Sequence, residues 1–264
     1  MLAWLHVLLL GIIEGVTELL PVSSTGHLLI AQHWLPRQSD LFNIVIQCGA
    51  VLAILPLPAF RGRVQKMLRA AVDVDARADL GKVALAFVIT AVGGLGLEKA
   101  GLRLPDDVTP VAIALVVGGV AFVVVERVVA GRAVVDTVSW AMAAAVGGAQ
   151  LVAAVFPGTS RSGASILLLL LLGLSRAAAA EFSFLVGIPT ILAVGGYKIL
   201  KALKADGGAG EDWALIAFGT VVSGVVSFVV VKWLLGYVQR HSFVGFGIYR
   251  IVAGLALLAL ALLT

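Results

Sequence analysis

The chain is predicted to be all-α and polytopic, with about six full transmembrane helices plus two re-entrant helical hairpins arranged as an inverted repeat. Three observations predict this integral membrane fold. Hydrophobic residues fill 61% of the 264 positions and charged residues only 13%, with a mean hydropathy of +1.08, far from the composition of a soluble domain. Apolar stretches of about twenty residues recur along the whole length, which leaves no segment able to build a soluble domain beside a single anchor. Two polar, helix-breaking motifs interrupt this pattern, one in each half.

The elements follow in order. Met1–Leu20 lacks a basic start and carries Glu14 and Glu18 where the apolar core of a signal peptide would lie, so it reads as a retained segment. It forms the long arm of the first hairpin. Leu28–Leu35 is the short arm, with about half the length a span needs at 1.5 Å per residue. Spans are predicted at Leu41–Phe60, Leu80–Glu98 and Val108–Glu126. Val134–Phe156 and Ile166–Leu174 are the arms of the second hairpin, and spans follow at Glu181–Leu203, Trp213–Tyr237 and Phe243–Thr264. Irregular backbone at the two hairpin turns must be buried in protein or line a wet cavity. The order hairpin, three spans, hairpin, three spans divides one membrane domain (1–264) into halves of approximately 1–132 and 133–264. An odd number of spans per half inverts the second half, and such repeats place their sites at the repeat interface near the midplane.

The net charge of +4 resides mainly in loop Arg and Lys residues, so nucleic-acid binding is not suggested. A lone Cys48 in an apolar run reads as a packed thiol and excludes a disulfide framework. Arg61, Arg63, Lys66, Arg69 and Arg77, with Arg127 and Arg132 two spans later, set the cytoplasmic side. Arg176 and Arg240 then fall inside, whereas Arg37, Lys99, Arg103 and both termini fall outside. Lys198, Lys201 and Lys204 read as one helix face snorkelling toward lipid headgroups rather than as a substrate funnel.

The chemistry lies in Glu14-Gly-Val-Thr-Glu18-Leu-Leu-Pro21-Val-Ser23-Ser24-Thr25-Gly26-His27 and Pro157-Gly158-Thr159-Ser160-Arg161-Ser162-Gly163. Ionisable groups at membrane depth are costly and mark functional sites. Glu14 and Glu18 share a helix face about 6 Å apart, so one holds a proton or the pair binds a cation, either Arg161 or a metal ion. Structural Glu–Arg pairing and a transporter's proton relay are the rival readings of the pair. Pro21 ends the first arm, and Ser23, Ser24 and Thr25 can cap the next helix, whose N-terminal N–H groups and dipole attract anions. His27, a turn further on, reads as a group that handles protons, with a satisfied core histidine as the rival reading. The second motif repeats the device: Pro157-Gly158 breaks the arm, Ser160 and Ser162 cap the next helix, Ser165 adds a hydroxyl, and Arg161 offers a planar fork for phosphate oxygens.

At these residues the chain resembles the bacterial undecaprenyl-pyrophosphate phosphatases, also called the bacitracin-resistance family. The resemblance extends to Phe42-Asn43-x-x-Ile46-Gln47-x-Gly49, Glu181-Phe-Ser183-Phe-Leu, Pro189 and Tyr249-Arg250-Ile251, nearly the whole length. It implies an enzyme of the bacterial inner membrane that removes the terminal phosphate of undecaprenyl pyrophosphate and so recycles the carrier lipid for cell-wall synthesis. It further implies interlocked inverted repeats, a cleft opening to the outer, periplasmic face, and a homodimer. Carried over by position, Glu14 and Glu18 match the family's acidic pair, Ser23, Ser24, Thr25 and His27 its first catalytic loop, and Ser160, Arg161 and Ser162 its second. Ser165 stands where the family usually has Thr, and Thr159 falls at a variable position.

The mechanism expected is phosphoryl transfer governed by positioning and charge stabilisation. Arg161 and the helix-start N–H groups would hold the diphosphate, with Ser23, Thr25, Ser160, Ser162 and Ser165 as further substrate-binding residues. Ser24 is the candidate nucleophile and His27 or Glu18 its base; direct attack by water is the rival. Glu14 and Glu18 would bind Mg²⁺ or Ca²⁺, although two carboxylates are an incomplete metal site. The prenyl tail would lie along apolar walls in contact with membrane lipid. An inverted-repeat transporter or lipid flippase is the alternative from another class. The other type of membrane lipid phosphatase would need two catalytic histidines, whereas His6, His33 and His241 all lie near arm ends or in loops.

Overall fold

A computed structural model describes residues 1–100 and 108–263. The expectations for Arg103 and for Thr264 lie outside them. The first hairpin is α1 (Leu2–Thr17) and α2 (Ser24–Trp34). It is followed by α3 (Asp40–Leu52), α4 (Pro58–Met67), α5 (Val74–Lys99) and α6 (Val108–Val129). The second hairpin, α7 (Trp140–Val155) and α8 (Arg161–Leu171), precedes α9 (Arg176–Asp206), α10 (Trp213–Val238) and α11 (Val244–Leu263).

Among the described residues five helices, α5, α6, α9, α10 and α11, are long and apolar enough to cross a bilayer. They coincide with five of the six predicted spans. The sixth, Leu41–Phe60, is corrected: α3 stops at Leu52, the chain turns through Ala53–Leu57, and α4 restarts at Pro58. Pro56 has no N–H to donate and disfavours helical backbone at Leu55, and Pro58 occupies the first turn of α4, where its missing donor costs nothing. The 13 residues of α3 extend only about 20 Å, short of a hydrocarbon core of about 30 Å.

Hairpin boundaries shift as well. The second long arm begins at Trp140 rather than Val134, because Val135 N donates to the Gly173 carbonyl (3.0 Å) and its own carbonyl accepts from Ser175 N (2.9 Å). That bridge pins the entry of α7 to the exit of α8. Both short arms begin at the serines expected to cap them, at Ser24 after Ser23 and at Arg161 after Ser160, ahead of their apolar stretches Leu28–Leu35 and Ile166–Leu174.

Small residues set the packing. In lipid, helices gain little from apolar burial and associate through close backbone approach and dispersion. Gly219, Ser223 and Ser227, spaced by four along α10, face α1 and α3. A Cβ added to Gly15 of α1 would come within 2.5 Å of the Ser223 carbonyl, and one on Gly49 of α3 would strike the Thr220 carbonyl. In the same way α6 closes on α11, where a Cβ on Gly119 would lie 2.6 Å from the Gly247 carbonyl, and α7 closes on α5 at Gly147. The two long arms thus pack on spans distant in sequence, α1 on α10 and α7 on α5, while α3 packs on α9.

Candidate active site

Both hairpin turns use one device. Ser23 (φ 74°) and Ser160 (φ 70°) are the only non-glycine residues with positive φ among the described residues, a conformation that costs about 1–3 kcal/mol and persists only when its surroundings impose it. Each is an N-cap: Ser23 Oγ accepts from Gly26 N at 3.4 Å, and Ser160 Oγ accepts from Gly163 N at 3.1 Å. Ser24 and Arg161 therefore occupy the same place, the first residue of a short arm, beside unpaired N–H groups at the positive end of a helix dipole.

The two turns meet. Ser24 Oγ donates to Glu18 Oε2 at 2.5 Å, and Arg161 Nη2 donates to the other carboxylate oxygen, Oε1, at 3.3 Å. Glu18 thus joins the first hairpin's hydroxyl to the second hairpin's guanidinium. Ser162 Oγ makes a second tie, donating to the Leu20 carbonyl at 3.1 Å and lying 3.1 Å from Ser160 Oγ. Arg161 is steadied from α9, where Nη1 donates to the Ser183 carbonyl at 3.5 Å and Gly187 leaves the space its guanidinium fills. A cavity of about 640 Å³ opens onto Glu18, Ser23, Ser24, Thr25, Ser160 and Arg161. Its remaining walls come from α3, α5, α7 and α9 and are mostly apolar, with Ala91, Gly94, Ala153 and Val194 among them.

Four predicted residues stand apart from the cavity wall. Glu14 is fully buried beside Glu18 and Ser24, with neither carboxylate oxygen in a hydrogen bond of good distance and angle. Ser162 is the inter-hairpin tie, and Ser165 Oγ donates to the Arg161 carbonyl at 2.9 Å, within its own helix. His27 turns away from Ser24: Nδ1 lies 2.7 Å from the Ser23 carbonyl, Nε2 lies 2.6 Å from the Tyr249 hydroxyl, and the two rings stack. Among the described residues no group of three His, Cys, Asp or Glu is placed to hold a metal ion. The acidic pair, with both oxygens of Glu14 orphaned, is a partial oxygen site that suits a hard cation completed by water or phosphate.

Sequence reasoning assigned no role to Arg250 or Gln150. Arg250, fully buried on α11, donates to the carbonyls of Pro21 (3.0 Å) and Gly158 (3.1 Å), one from each hairpin turn, and to Ala114 (3.1 Å) and Leu115 (3.4 Å) of α6. A lone guanidinium inside an apolar span was the available signal. Lys198 lines the cavity, contrary to the expectation that it faces headgroups, whereas Lys201 and Lys204 are exposed. Cys48 packs between α3 and α9, its thiol directed at the Ile44 and Ile191 carbonyls.

A helical, multi-pass membrane protein that gathers two helix N-termini around a hydroxyl, a carboxylate and a guanidinium has the groups needed to handle a phosphorylated lipid. The family described as Bacitracin resistance protein BacA matches residues 7–256, and the chain belongs to it. It is similar to the undecaprenyl-diphosphatase of Xanthomonas oryzae pv. oryzae (strain PXO99A), at 53% identity over 252 residues, covering 95% of this chain and 94% of that protein. It is also similar to the undecaprenyl-diphosphatases of Rhizobium etli (strain CIAT 652), 48% identical over 259 residues with 98% and 97% covered, and of Xanthomonas campestris pv. campestris (strain 8004), 51% identical over 255 residues with 95% of each covered.

Proposed function

We propose that this protein is an undecaprenyl-diphosphate phosphatase: it hydrolyses undecaprenyl pyrophosphate to undecaprenyl phosphate and inorganic phosphate, recycling the carrier lipid and conferring bacitracin resistance. Family membership and the named activity of its relatives support the reaction. The observation that carries the mechanism is the chain Ser24–Glu18–Arg161, a hydroxyl hydrogen-bonded to a carboxylate that is itself held by a guanidinium. Nothing found favours the transporter or flippase reading.

Ser24 Oγ attacks the terminal phosphorus while Glu18 takes its proton, and the anhydride P–O bond breaks to release prenyl phosphate, a leaving group that needs no protonation. Glu18 gives that proton to the departing prenyl phosphate or to solvent, accepts one from the water that attacks the phosphoserine, and returns it to Ser24 Oγ as the Ser–O–P bond breaks and inorganic phosphate is freed. Glu18 is preferred over His27 as the base because it already accepts from Ser24, whereas both nitrogens of His27 are engaged elsewhere. Arg161 and the N–H groups of both helix starts stabilise charge on the transferring phosphoryl group, with Ser23, Thr25 and Ser160 around it. Glu14 and Glu18 would hold a divalent cation, Mg²⁺ or Ca²⁺, which when bound offsets diphosphate charge. The reading includes a location in the bacterial inner membrane, inverted halves divided near Arg132 with the broken α3–α4 segment in place of the first half's predicted span at Leu41–Phe60, a cavity open to the periplasmic face, and a homodimer.

The test is phosphate release from undecaprenyl pyrophosphate by the detergent-solubilised protein beside folded Ser24→Ala and Arg161→Ala variants. Turnover by the parent with near-complete loss in both variants is the expected result. An inactive parent, with and without divalent metal, would overturn the proposal.

A further inference from the structure

We propose that Gln150 is a substrate-contacting residue whose side-chain amide hydrogen-bonds the diphosphate group in the cavity, an inference that rests on the phosphatase reading above. Gln150 lies on α7 and is only 2% exposed, yet neither Nε2 nor Oε1 has a hydrogen-bond partner. A buried amide left unpaired costs about 1–3 kcal/mol, so such groups persist where a ligand or water completes them. Of the buried side chains without partners among the described residues, Glu14, Ser183 and Ser223 do not line the cavity; Gln150 does.

Its placement suits an anion. Gln150, Ala153 and Ala154 form one face of α7 on the cavity wall, and that wall continues through Pro157 and Gly158 to Ser160 and Arg161. The helix is held closely: a Cβ on Gly147, three residues before Gln150, would lie 2.7 Å from Ile89 Cβ of α5. A diphosphate presents more oxygens than one guanidinium can satisfy, and Arg161 already donates to Glu18 and to the Ser183 carbonyl. The Gln150 amide supplies two further N–H donors without adding a charge that must be desolvated.

The experiment compares the parent with Gln150→Met, which keeps length and removes hydrogen bonding, and Gln150→Glu, which puts a carboxylate against the phosphates. Steady-state kinetics on undecaprenyl pyrophosphate and thermal unfolding with and without inorganic pyrophosphate are measured on each purified protein. For Gln150→Met the expected result is a ligand-free Tm equal to or above the parent's and a smaller Tm rise with pyrophosphate. Its KM should be raised about tenfold, the size of one hydrogen bond to a charged group, with kcat within about threefold. Gln150→Glu should raise KM further. Unchanged KM and an unchanged pyrophosphate shift in Gln150→Met would mean the amide holds only water and would overturn the inference, as would a lowered ligand-free Tm with KM unaltered. A parent that shows no turnover defeats the phosphatase reading alone. In that case a pyrophosphate shift present in the parent and lost in Gln150→Met still supports the amide contact, and no shift in the parent overturns it.

Discussion

Glu18 is the residue on which the two hairpins converge, and replacing it separates charge from geometry. Glu18→Gln keeps shape and leaves an oxygen for one partner, but it removes the proton acceptor of Ser24 and the counter-charge of Arg161. Loss of a general base costs on the order of 10²- to 10⁴-fold, so kcat should fall by that factor with KM changed only a few-fold in a steady-state phosphate-release assay. Arg250 acts through backbone instead. Arg250→Met would orphan the Pro21 and Gly158 carbonyls, a destabilisation on the order of 3 kcal/mol, read as a lower Tm in detergent together with weakened turnover from loosened turns. The acids, hydroxyls and guanidinium of the site were readable as residue types, since polar groups stand out in apolar sequence. The direction in which each side chain points was not: His27, three residues from Ser24, faces Tyr249 instead.

Helices place these groups by how closely they approach one another. Gly187 on α9 gives Arg161 its room, and an added Cβ there would meet the guanidinium, the far end of a flexible side chain. Gly187→Ala should therefore fold with little change in Tm while kcat/KM falls at least about tenfold, because a small misplacement of a catalytic group is costly. Gly15 is the opposite case, since its neighbour is the Ser223 carbonyl, which is backbone and cannot step aside. Gly15→Val should part α1 from α10 and abolish the folded species in size-exclusion chromatography. Span ends were legible from hydropathy for α5, α6, α9, α10 and α11, whereas α3 was misjudged because an apolar count passes through Pro56 and Pro58 without registering the lost donors.

Across the whole molecule the charge bias predicts that the C-terminus is periplasmic. A C-terminal alkaline phosphatase fusion should be active and a C-terminal green fluorescent protein fusion dark; the reverse pattern would invert the proposed opening of the cavity. The membrane class, the two hairpins and the phosphate-handling character of the motifs were available from the chain alone, because hydropathy and backbone breakers act locally and leave their mark in consecutive residues. The meeting of residues far apart in the chain was decided only by packing. Ser24 with Glu18 and Arg161, Arg250 with both turns, and Gln150 left unpaired on the cavity wall all depend on which helices come within contact distance, and small residues on separate helices control that approach.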